Sequence, residues 1–206
     1  PFNVWIAILS DIKVKNMTAE NKSSEPLTLE ETRDVLKQLD NEIAQVVIFL
    51  VLTGVRIDEA ADLLWADIDF DNNLLTVTNN KTGKQRDVRL LPIAKRALLD
   101  RKQTQDEEIY VFGHKGKKDA ALKQCIPLIK WKRAFKKLGL KVRKPEDLRK
   151  TFKSIMLSCR EAPEFVENQL NGTKYGNPFY YTEPRNYDLI NDWERLDQKP
   201  ISHSYS

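Results

Sequence analysis

Apolar residues recur at helical spacing along most of this chain and at alternate positions in one short middle stretch. The first regular element opens at Thr28-Leu29-Glu30-Glu31. A threonine cap with glutamate three positions on lets each side chain satisfy an orphan amide of a helix N-terminus. The helix it starts is expected to run to about Leu39. Ile43, Val46, Val47, Leu50 and Val51 continue as a second, strongly buried helix. Thr53-Gly54 ends it, because glycine tolerates the left-handed backbone at a helix C-terminus. A short amphipathic helix after Arg56 is expected to carry Ala60, Leu63 and Leu64 inward. The period then changes to two. Ile68 to Phe70, Leu74 to Thr78 and Arg86 to Leu91 alternate like strands of a small antiparallel sheet. Asp71-Asn72-Asn73 and Lys81-Thr82-Gly83-Lys84 are its turns. Pro92 can open the next helix at its first turn, and Ile109 to Phe112 reads as a further short strand. Leu122 to Leu138, Leu148 to Cys159, Pro163 to Leu170 and Tyr187 to Leu196 return to the helical period. The pattern predicts an α+β fold, mostly helical, with one small antiparallel β-sheet. Residues 1–26 stand apart, an apolar arm from Phe2 to Leu9 followed by a polar linker from Asn16 to Pro26.

Composition adds limits. With 206 residues and 41% hydrophobic content, the chain can form one substantial core plus appendages. No apolar run approaches the roughly 18 residues of a membrane span. Cys125 and Cys159 are too few and too isolated for a zinc site or a disulfide framework, and His114 and His203 are the only histidines. A reducing interior and a metal-free site are the expectation. The net charge of +4 hides an asymmetry: residues 113–153 carry fifteen Lys and Arg against Asp119, Glu146 and Asp147, whereas residues 41–80 hold Arg56 alone among seven acids. Clustered basic charge points to a phosphate-backbone partner, with Lys130, Lys132 and Arg133 around Trp131 as its densest part. The competing reading is a solvated basic helix face. Gly113-His114-Lys115-Gly116-Lys117-Lys118 lacks the spacing and terminal hydroxyl of a nucleotide-binding loop.

Three motifs then fall in a telling order: Thr53-Gly54-Val55-Arg56-Ile57-Asp58-Glu59, Asn80-Lys81-Thr82-Gly83-Lys84 and Asp147-Leu148-Arg149-Lys150-Thr151-Phe152, with Phe179-Tyr180-Tyr181-Thr182 downstream. Two arginines, a turn lysine and a late tyrosine suit attack by a phenolic oxygen on a phosphodiester. Arg56 and Arg149 would hold the non-bridging oxygens through their planar forks. Lys81 would protonate the leaving sugar oxygen, and the tyrosine would become covalently attached. Glu59 lies three residues beyond Arg56, close enough on a helix turn to fix its rotamer. Arg149 sits where a helix opens, and helix N-terminal amides favour a phosphate.

The constellation resembles the catalytic domain of tyrosine recombinases, the phage-integrase family. The first motif is similar to the family's T-G-x-R-x-x-E, with Leu63-Leu64-Trp65-Ala66-Asp67-Ile68 in place of its trailing L-x-W-x-D. Asn80 to Lys84, with Arg86 to Leu90 after it, resembles the hairpin bearing the catalytic lysine. Pro145 to Phe152 resembles the H-D-L-R-x-T-F box, and family spacing from Arg149 lands on Tyr181, with Tyr180 as the fallback. Two departures stand out. Glu146 occupies the usual histidine or lysine position, where beside a phosphate it would need to pair with an arginine or be protonated; paired, it would orient Arg149 or accept the tyrosine proton. Gly172 replaces the later histidine, leaving Lys174 as the nearest cationic substitute and Arg185 as a more distant one.

What the resemblance implies is a site-specific recombinase or integrase of a virus or other mobile element. It would work without metal or cofactor on double-stranded DNA, through a 3′-phosphotyrosine bond, as a tetramer in the synaptic complex. Residues 27–183 would be the catalytic domain, residues 1–26 the linker from an absent N-terminal core-binding domain, and residues 184–206 a tail with a short helix. A DNA-associated place in the host cytoplasm follows. The rival readings are a non-catalytic DNA-binding relative and a type IB topoisomerase-like nicking enzyme.

Overall fold

The computed structural model describes residues 25–79, 82–104, 109–112, 126–158 and 163–172. Seven helices and three strands are seen among these residues. Helix α1 (Leu29–Lys37) starts at the expected capping box, with the Glu31 amide donating to Thr28 Oγ1 and the Thr28 amide to Glu31 Oε2, both at 3.0 Å. Helix α2 (Asn41–Thr53) is buried almost all round, from Ile43 to Thr53. Such a helix has no solvent face to offer and must lie at the centre of a core. It packs against α4 (Pro92–Thr104) and α6 (Leu148–Ser158). The Leu27 amide donates to buried Thr151 Oγ1 at 3.1 Å, tying the chain before α1 to α6.

At the end of α2, the Thr53 hydroxyl donates to the Phe49 carbonyl at 2.7 Å, and Gly54 turns left-handed at φ 67°. A Cβ on Gly54 would stand 2.5 Å from Phe152 and 2.8 Å from Leu170, so glycine is required by space as well as by dihedral. Helix α3 (Ile57–Ala61) follows, shorter than its sequence pattern: Leu63 is buried beyond its end and Leu64 is half-buried.

Strands β1 (Ile68–Asp69), β2 (Leu74–Thr78) and β3 (Gln85–Arg89) form an antiparallel sheet in the order β1-β2-β3. The register pairs Leu75 with Val88 and Val77 with Arg86. Asp69 Oδ1 accepts from the amides of Asp71 and Asn72, which builds the first turn, and Asn73 completes it at φ 56°. Leu75, Val77, Val88 and Leu90 face the core. Helices α5 (Leu128–Lys137) and α7 (Pro163–Asn171) complete the described fold.

Two expectations are corrected. Ile109 to Phe112 forms no strand. Leu64 leads directly into the 3-10 turn Trp65–Asp67, so Tyr110 makes only a single bridge to it, and Val111 and Phe112 turn into the core, the latter against Phe49 at 4.9 Å. The helix expected from Leu122 starts at Leu128, because Pro127 pushes the preceding residue away from helical backbone, and buried Ile126 lies outside it. The expected helix from Tyr187 to Leu196 lies outside the described residues. Among the described residues no helix is long and apolar enough to cross a membrane.

Candidate active site

The end of α2, the start of α6, strand β3 and the end of α7 converge on three arginines. Arg56 caps α3, its amide donating to Glu59 Oε2 and its Nη1 to Glu59 Oε1, each at 2.9 Å. The expected Arg56–Glu59 pair therefore forms, but it is no surface pair. The Glu59 side chain is 1% exposed, and Arg56 keeps 39% of its side chain open. Arg149, the second residue of α6, donates from Nη1 to the Gly54 carbonyl at 2.7 Å, and from Nη2 to the Leu170 carbonyl and to Asn171 Oδ1. The glycine turn that ends one helix thus holds an arginine that begins another.

Arg86 is the residue that the motifs did not single out. Its two terminal nitrogens donate to the two Glu59 oxygens, both at 2.7 Å, and its Nε donates to the Gln169 carbonyl at 3.4 Å. The signal was available in the alternation of β3: Arg86 shares its face with buried Val88 and Leu90, and a charge on the inward face of a strand needs a partner. Gln169 also fixes the neighbouring backbone, accepting from the Arg89 amide at 2.7 Å and donating to its carbonyl at 2.9 Å.

Two guanidinium groups bind the Glu59 carboxylate, and that of Arg149 lies within its electrostatic reach. Burial pushes the Arg149 pKa down to about 10, repulsion from Arg56 and Arg86 adds to this, and attraction to Glu59 and Glu167 offsets only part of it, so the group stays charged at neutral pH. Burial alone would raise the Glu59 pKa; the Arg86 fork, the Arg56 amide and the two positive charges outweigh it and hold the carboxyl below its ordinary range. The cluster carries a surplus of positive charge suited to an oxyanion. Among the described residues no group of three or more His, Cys, Asp or Glu gathers as a metal ion would need.

The other sequence candidates fall in different places. Glu146 is exposed in the 3-10 turn Pro145–Asp147 that leads into α6, and among the described residues it pairs with no arginine. Lys130 pairs with Asp40, the residue before α2, whereas the arginines sit at the opposite end of that helix. Thirteen helical residues put it roughly 20 Å from them. Lys132 and Arg133 are exposed on α5, but Trp131 is a core residue, 1% exposed, with Nε1 donating to the Arg143 carbonyl at 2.7 Å. It packs on Phe135 and offers no stacking surface. Lys81, Lys174, Tyr180 and Tyr181 lie outside the described residues.

Comparison with known proteins identifies the family and the fold. The sequence profile of the phage integrase family matches residues 25–182. The tyrosine recombinase XerA of Pyrococcus horikoshii is 29% identical over 178 residues, covering 83% of this chain; the chain spans 61% of that relative's length. The crystal structure of XerA recombinase superposes with a TM-score of 0.58 at 20% identity, over 88% of this chain and 68% of that one. A lambda integrase tetramer bound to a Holliday junction gives a TM-score of 0.60 at 15% identity, over 82% of this chain and 52% of that one. These structural likenesses concern the fold: a mostly helical domain with a small antiparallel sheet. The profile match runs from the residues just before α1 to the residue after Tyr181 and takes in all three arginines, and on that ground the chain belongs to the phage integrase family of tyrosine recombinases.

Proposed function

We propose that the chain is the catalytic part of a site-specific DNA recombinase that cuts and rejoins strands through a 3′-phosphotyrosine intermediate. The observation that carries this reading is the surplus positive charge of Arg56, Arg86 and Arg149 beside the buried carboxylate of Glu59. A phosphodiester supplies one negative charge and gains a second as its phosphorus becomes pentacoordinate. Fixed guanidinium groups therefore favour the transition state over the ground state.

In this mechanism the Tyr181 oxygen attacks the phosphorus, the bond to the 5′-oxygen breaks, and Lys81 gives that oxygen a proton. The phenolic proton passes to solvent water, since Glu146 is exposed and among the described residues has no arginine partner to hold its carboxylate beside the phosphate. The phosphotyrosyl bond keeps the energy of the broken phosphodiester, so a second strand's 5′-hydroxyl rejoins it without ATP. Duplex DNA is the partner, and assembly on it as a tetramer follows the lambda integrase named above. Residues 27–183 form the catalytic unit, residues 1–26 its leading linker and residues 184–206 a tail; Lys130, Lys132, Arg133 and Lys174 contact DNA backbone. The working place is DNA in the cytoplasm of a host cell, and the source is a virus or other mobile element.

The test is covalent capture. The protein is incubated with a randomised pool of nicked duplexes, from which the nick lets the cleaved end diffuse away, and the adduct is mapped by peptide mass spectrometry. A nucleotide on Tyr181 is expected. A nucleotide on Tyr180 moves the nucleophile by one position, and DNA binding without any adduct makes the protein a non-catalytic DNA-binding relative.

A further inference from the structure

Arg86 reaches the arginine cluster from β3, and its side chain is 7% exposed. Its Nη1 and Nη2 lie parallel to the two oxygens of Glu59 at 2.7 Å each, a two-pronged fit that fixes the plane of the carboxylate. The same two oxygens take the Arg56 side chain and the Arg56 amide. Glu59 is therefore a shared anchor with two unequal neighbours, one closed in and one open. Arg86 has both prongs committed, whereas Arg56, 39% exposed, keeps donors for a ligand.

The fixed wall behind Arg86 is as specific as the fork. Its Nε is bound to the Gln169 carbonyl at the end of α7. Gly172 follows at φ +77°, where a Cβ would stand 3.2 Å from the Arg86 Cβ. A side chain at Gly172 would strain its own backbone and press on the Arg86 stem. The Arg86 stem therefore sits closest where position 172 has no side chain.

We propose that Arg86 is a positioning residue for strand cleavage: by clamping both oxygens of Glu59 it sets the orientation of the Arg56 guanidinium toward the scissile phosphate, in the space that Gly172 leaves open. This rests on the reading of Arg56 as a phosphate clamp. With no side chain at 172 to help hold the phosphate, the aim of Arg56 matters more. A lysine in place of Arg86 keeps the charge but offers a point rather than a fork. Glu59 is then free to turn toward Arg56 and draw it from the phosphate.

The experiment uses a nicked duplex captured by the wild-type protein and measures single-turnover cleavage at saturating DNA. Arg86→Lys should slow cleavage by about a hundredfold, the scale of a small misplacement at a reacting centre. The DNA concentration for half-saturation should change by no more than about twofold, because Arg86 does not touch the phosphate. In an Arg56→Lys background, followed over times long enough to read its slower cleavage, Arg86→Lys should add almost nothing, since both act through one guanidinium. Multiplication of the two losses, or wild-type cleavage by Arg86→Lys, overturns the proposal. Wild-type cleavage by Arg56→Ala instead removes the clamp reading on which it rests. Should Arg86→Lys fail to fold, Arg86→Met combined with Glu59→Gln leaves no buried charge unpaired. That double variant should fold and show the same loss at unchanged half-saturation, and normal cleavage by it refutes the idea.

Discussion

Arg149 Nη1 donates to the carbonyl of Gly54 at 2.7 Å, so an arginine at the head of one helix is held by the residue that ends another. The contact needs Gly54 to be left-handed and close to Phe152 and Leu170. Gly54→Ala should therefore act on stability and site together. Strain at positive φ and crowding against an aromatic ring predict a loss of about 2–4 kcal/mol. The denaturation midpoint measures it; a midpoint equal to wild type would show that the α2–α6 junction is looser than described.

Arg56→Ala and Arg149→Ala should each lower strand cleavage by about a thousandfold or more, the scale seen when a preorganised oxyanion donor is removed. Lysine at either position should rescue poorly, because the planar fork is lost. Full cleavage with lysine at both positions would refute their assignment as phosphate ligands.

Acid should release the grip on Glu59. Its carboxyl is held below the ordinary value of 4.5, so the stability it contributes is complete above that value and is lost as pH falls through the lower folded one. Glu59→Gln should lower Tm at neutral pH and flatten the fall of Tm between about pH 5 and pH 3. Parallel Tm profiles for the two proteins would exclude a coupling between Glu59 ionisation and folding.

Lys130, Lys132 and Arg133 lie on α5, far along α2 from the arginines. Charge reversal there should flatten the salt dependence of DNA binding, by close to one unit of log–log slope for each phosphate that the protein no longer neutralises. Cleavage at saturating DNA should hold. An unchanged slope would mean that this face meets solvent and DNA lies elsewhere.

Local signals were read well from sequence where one residue type answers one physical demand. The Thr28 and Glu31 cap, the apolar run of α2, Gly54 at its end and Arg149 at the head of α6 all belong to this class. Arg86 was overlooked because its meaning is not local: Glu59 lies twenty-seven residues earlier and Gln169 eighty-three later. Pro127 carried a plain signal against a helix running through it, and the apolar period on either side masked it. For Trp131 the basic neighbours leave stacking and packing both open in the sequence, and α5 decides for packing by burying that face against the core.

Gln169 gives β3 something a three-stranded sheet otherwise lacks on that side. Its amide group accepts from the Arg89 amide and donates to the Arg89 carbonyl, the two bonds that another strand would make. One side chain thus stands in for a missing backbone and blunts the sheet's outer edge at that position. An unblunted edge is a template on which copies of a chain stack and lose their shape. If copies of the chain assemble side by side on DNA as proposed, this small imitation of a strand helps to keep their association to the surfaces intended for it.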